Sequence, residues 1–206
     1  MLDAINDNDD TLNQHSDAFN GAVGHGGGYR HVYFKTATML WNLQYVLGDE
    51  LFQKALQNYF SEFKICHPYV EDFRNSVIHY THIDLNWFFD QWFETNKHID
   101  YEVESVKHKA GDNYEIVFER HGRMQMPIDF TVTAKDGKTY DFYIPNTYFI
   151  KQTNATVLPY WKGWDLLHPT YTCAVTIPGG INDGVIVPNH VLADVSVTNT
   201  TNRLPM

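Results

Sequence analysis

The chain has 206 residues, of which 43% are apolar and 15% aromatic, enough to bury a core in one large or two small domains rather than stay disordered. Its formal net charge of −10 comes with no block of basic residues, which argues against a nucleic-acid surface. The apolar runs are only a few residues long, so none spans a membrane.

The N-terminus, MLDAINDNDDTLNQ, is acidic and polar and resembles neither a signal nor a transit peptide. The chain reads as soluble with no visible address, which leaves its location, and export of any longer parent, open. Residues 1–28 are rich in Asn, Asp and Gly and read as an irregular lead-in. Within it, His25-Gly26-Gly27-Gly28 is reminiscent of the oxyanion loop of serine esterases. That chemistry needs a nucleophilic Ser in a G-x-S-x-G elbow between strand and helix, and no such pentapeptide occurs. The glycines are better explained as a flexible approach to the next helix.

From Tyr29 to about His98 the helical period dominates. In YRHVYFKTATMLWNLQYVLG, Val32, Met39, Leu40, Leu43, Val46 and Leu47 recur at three- and four-residue steps, and Gly48 supplies a stop. Asp49 is placed to cap a second helix, with Phe52, Leu56, Tyr59, Phe60 and Phe63 on one face. A shorter helix opens near Pro68 and runs through Phe73 and Val77. A fourth begins at Asp84 and turns Leu85, Phe88, Phe89 and Trp92 inward, as core rather than as a ligand groove. Short links between them imply antiparallel packing.

After about Ile99 the period becomes two. DYEVESV and NYEIVFER alternate apolar and polar residues, and Asp136-Gly137 marks a hairpin between MPIDFTVTA and TYDFYIP. TYTCAVTI, GVIV and LADVSVTN follow, separated by Pro178-Gly179-Gly180 and Pro188-Asn189. The expected fold is α+β: antiparallel helices followed by an all-β, immunoglobulin-like sandwich, divided at residues 96–100.

Metal-ligating patterns are weak. His79 and His82 stand three apart near Asp84, but no third ligand is indicated, and Cys66-His67 and the pair His25 and His31 are weaker still. Cys66 and Cys173 could form one disulfide, which nothing in their spacing demands, so the redox compartment stays undetermined.

Three segments in order carry a resemblance. They are YFKTATML (33–40), LGDELFQKALQNYF (47–60) and DLNWFFDQWFE (84–94), with HPYVEDFRNSV between the last two. Together they resemble the closing part of the catalytic domain of M1-family zinc aminopeptidases, the gluzincins. The following strands, including RMQMPIDFTV and LADVSVTN, resemble the β-sandwich that succeeds it in the bacterial branch. One departure is Thr36, where the family often has Gly.

The resemblance implies that residues 29–98 are the helical part of a metallopeptidase catalytic domain and 99–206 the sandwich. It implies a peptide substrate and a zinc cofactor for a complete parent. It further implies that Tyr33 donates its phenolic O–H to the oxyanion of the tetrahedral intermediate, with Tyr29 the second candidate. The family's zinc comes from His-Glu-x-x-His and a later Glu, and this chain has no His-Glu pair. The expectation is therefore a C-terminal fragment with no cofactor of its own, catalytically inactive alone. Its partners would be the missing N-terminal and zinc-binding segments, or further copies of itself through an exposed apolar face. The alternative is a non-enzymatic interaction module in which the sandwich docks a partner and the hydroxyl of Tyr33 is buried or bonded within the chain.

Overall fold

The computed structural model describes residues 11–15, 30–161, 167–186 and 201–202. The chain divides into two compact units, 1–97 and 98–206.

The first unit is helical. A π-wound stretch, Arg30–Lys35, runs without a break into α1 (Thr36–Leu47), and α2 (Asp49–Phe63), α3 (Val70–Thr81) and α4 (Asn86–Phe93) follow. Met39, Leu43, Val46 and Leu47 of α1 are buried, as their spacing implies. Val32 is not: it is 55% exposed, because the wider π winding offsets the face that the α period assigns to it. Gly48 sits at φ +80°, a conformation open to glycine, and its N–H closes α1 on the carbonyl of Gln44 at 2.8 Å. Asp49 is the first residue of α2 rather than its cap, and its carboxylate accepts from Gln44 Nε2 at 2.9 Å. Along α2 only Ala55 is fully buried, and Phe60, expected on the inner face, is 66% exposed.

At the start of α3, Asp72 accepts the Tyr69 N–H at 2.7 Å, a carboxylate at a helix N-terminus where the backbone dipole favours it. Asp84 Oδ1 takes the Asn86 N–H at 3.0 Å just before α4, and Leu85, Phe88, Phe89 and Trp92 are fully buried. An aromatic chain links the last three helices. Tyr59 lies 5.2 Å from Phe63 and 5.0 Å from Phe73, Phe73 5.9 Å from Phe89, and Phe89 5.5 Å from Phe93. Such ring pairs add about 0.5–1.5 kcal/mol each beyond the area they bury. Arg74 ties α3 to α4, donating to Asn86 Oδ1 at 2.6 Å and pairing with Asp90 at 2.8 Å.

The second unit is a two-sheet β-sandwich, as the alternating pattern implies. One sheet has the order β1 (Tyr101–Ala110), β2 (Asn113–Arg120), β6 (Thr170–Thr176). The other has the order β5 (Thr156–Val157), β4 (Thr139–Ile144), β3 (Ile128–Ala134), β7 (Ile181–Ile186), β8 (Thr201–Asn202). Alternate residues Tyr114, Ile116 and Phe118 of β2 and Ile128, Phe130 and Val132 of β3 point into the core. The rings of Phe118 and Phe130 meet at 4.9 Å and join the two sheets. The Asp136-Gly137 hairpin forms, with Asp136 Oδ1 accepting the Lys138 N–H at 3.0 Å. The short β5, parallel to β4, has no counterpart in the sequence reading. LADVSVTN lies outside the described residues.

Candidate functional site at the start of the first helix

The π-wound stretch holds Val32, Tyr33 and Phe34, exposed by 55%, 60% and 56%. All three are exposed, so the described part of the unit leaves the side of the helix that they occupy uncovered. Lys35, the next residue, is buried. The inward turn thus falls on Lys35, while Tyr33 is exposed on helical backbone, and Thr38 donates to the Phe34 carbonyl at 2.8 Å. π-winding is rare and is found frequently at functional sites.

Beside it is an apolar cavity of about 580 Å³. Val32 and Thr36, which bracket Tyr33, line it together with Met39, Tyr59, Tyr69 and Phe73. Leu12 also reaches this cavity; Asn13 next to it is anchored at α4 by donating its N–H to the Phe93 carbonyl at 3.0 Å and Nδ2 to Glu94 Oε1 at 2.8 Å. No sequence pattern signals this cavity. It needs Leu12, the Pro68-Tyr69 link and side chains from all four helices together, which no single period encodes.

Tyr29 and the His25–Gly28 stretch lie outside the described residues. His79, His82 and Asp84 are exposed and form no ligand set, and the Asp84 carboxylate is engaged by both the N–H and Nδ2 of Asn86. Among the described residues no group of three or more His, Cys, Asp or Glu could hold a metal ion. These residues do not fit a zinc site, and no chemical step belongs to a metal held by them. Both cysteines are free: Cys66 is exposed, and burial pushes the Cys173 thiol up to about 12. No described helix is long and apolar enough to cross a membrane.

Residues 28–92, about a third of the chain, match the family described as the peptidase family M1 domain. Among solved structures, the chain is similar to aminopeptidase A of Legionella pneumophila, determined in complex with aspartic acid. The two share 14% identity and a TM-score of 0.49 over 85% of this chain, which spans 18% of the length of that protein. No curated protein matches the chain.

Proposed function

We propose that the chain is the C-terminal portion of an M1-type zinc aminopeptidase, and that Tyr33 is its contribution to peptide-bond hydrolysis. The observation that carries this reading is the match of residues 28–92 to the M1 domain, which includes the tyrosine helix and the aromatic α4. Residues 29–98 are then the end of the catalytic domain, and residues 99–206 the sandwich that follows it.

Hydrolysis of a peptide bond builds negative charge on the carbonyl oxygen. A phenolic O–H aimed at that oxygen stabilises the charge more than it stabilises the neutral carbonyl, which lowers the barrier. Tyr33 is suited to this because its ring is 60% exposed while its backbone is held in helix. The alternative of an interaction module has the tyrosine hydroxyl buried or bonded within the chain; the 60% exposure of the residue speaks against burial. Zinc in the complete parent supplies polarisation of the carbonyl and an activated water, from ligands that the described residues do not contain.

The chain by itself is therefore inactive. The purified 206-residue chain, supplied with zinc, is expected to release no N-terminal residue from a chromogenic peptide. Zinc-dependent release would overturn the reading. The second check is genetic: an in-frame His-Glu-x-x-His upstream of Met1 is the expected result, and an unrelated coding frame or a stop codon immediately upstream speaks against a natural parent.

A further inference from the structure

We propose that α2 is a self-association surface that pairs antiparallel with α2 of a second copy about a two-fold axis at Leu56. The inference does not depend on the peptidase reading.

Four observations lead to it. First, α2 buries only Ala55 within its own unit, leaving Phe52 and Leu56 half-buried and Phe60 66% exposed. These three residues stand at four-residue steps and form a stripe about 12 Å long on one side of the helix. Second, the stripe lines an open groove of about 700 Å³ that is otherwise lined by Gln44, Gln53, Gln57 and Ser61, with Asp49 the one charged residue among them. On a chain of net charge −10, two copies meet least like-charge repulsion along the uncharged part of that lining.

Third, the stripe reads Phe-Leu-Phe in both directions. An isologous contact needs a patch that is complementary to itself under a two-fold rotation. Rotation about Leu56 places Phe52 of one copy on Phe60 of the other, large ring against large ring, with the leucines at the axis. Fourth, the same rotation is complementary in charge. Asp49 opens α2 and Lys64 ends it, both exposed and both within about 60° of the stripe. An antiparallel partner brings each Asp49 to the level of the other copy's Lys64, while a parallel partner puts like charges together at both ends.

One helix of 15 residues offers less than the roughly 800 Å² per partner of a standard interface, so the dimer is concentration-dependent rather than permanent. The neighbouring cavity at Val32 and Thr36 shares only Leu56 with the groove.

The test is sedimentation equilibrium of the full chain from low micromolar to about 500 µM, a range that covers weak, transient interfaces. A reversible monomer–dimer equilibrium is expected. Phe60→Glu, at an exposed position that the fold does not need, is expected to raise the dissociation constant at least tenfold, about 1.4 kcal/mol. Asp49→Lys alone and Lys64→Asp alone each weaken the dimer, and the double exchange restores it, a pattern that only the antiparallel pairing produces. In a Cys66→Ser background, Leu56→Cys forms a symmetric disulfide under mild oxidation, while Phe60→Cys, offset from the axis, does not. A monomer throughout the range overturns the proposal. So does a dimer indifferent to Phe60→Glu, or one in which the double exchange fails to rescue.

Discussion

Tyr101→Phe removes one oxygen atom from the core of the sandwich. Tyr101 is 2% exposed at the start of β1, and its hydroxyl accepts the Met126 N–H at 2.9 Å. The same hydroxyl donates toward the Met126 carbonyl at 3.2 Å, with the Met124 carbonyl at 3.5 Å. It thereby fixes the Met124–Pro127 segment that leads into β3. Met124 and Met126 are each 1% exposed, so water does not substitute for the lost acceptor. An orphaned buried N–H costs about 1–3 kcal/mol, and the lost donor bond adds roughly 1. The expected destabilisation is about 2–4 kcal/mol. For a unit of this size, that lowers Tm by roughly 10–20 °C. Urea and thermal unfolding followed by far-UV circular dichroism measure it, with the helical signal as the internal control, since the substitution lies in the second unit. A loss below about 0.5 kcal/mol would mean that the hydroxyl is not what holds the segment, and the reasoning would fail.

Gly122→Ala is expected to destabilise the sandwich by about 1–3 kcal/mol, because a Cβ there would lie 2.5 Å from the His98 carbonyl oxygen and 2.6 Å from the Asp100 nitrogen, and backbone cannot yield as a side chain can; a neutral result in urea unfolding refutes the close approach. His121 Nε2 lies 2.8 Å from Glu102 Oε2, and that bond raises the imidazole above its ordinary 6.5. The folded state thus holds the proton more tightly, so the stabilisation is complete below about 6.5 and is lost as pH rises through the folded value. Both side chains are more than a third exposed, which limits the effect to under about 1 kcal/mol. His121→Gln should flatten that part of the stability–pH curve, and an unchanged curve contradicts it. A thiol reagent applied to the native chain should titrate Cys66 rapidly and Cys173 only after unfolding, given the burial of the latter; two fast thiols would be inconsistent with this core.

The legible parts of the fold were those where one local rule decides the outcome. The Phe88, Phe89 and Trp92 spacing is helical, and all three are fully buried. Alternation along NYEIVFER places Tyr114, Ile116 and Phe118 inward, and Asp136-Gly137 makes its hairpin. The sequence misled where a local rule met a tertiary one. Val32 follows the α period, but the backbone there is π-wound. Phe60 follows the α2 face, but the neighbouring helices cover that face around Ala55 and Tyr59 and leave Phe60 out. Asp49 is a good capping residue, yet Gly48 already ends one helix and begins the next. The grip of Tyr101 on Met126 spans 25 residues and leaves no trace in periodicity. At the candidate site, the motif order singled out Tyr33, while its exposure and the cavity beside it emerge only from the folded backbone.

The most direct test of the central claim is Tyr33→Phe in the proposed complete, zinc-containing parent, with kcat and KM measured separately on a peptide substrate. Loss of an oxyanion donor predicts a fall in kcat of about 10²–10³-fold, close to 3–4 kcal/mol of barrier, with KM little changed. An unchanged kcat would contradict the account and remove Tyr33 from the reaction.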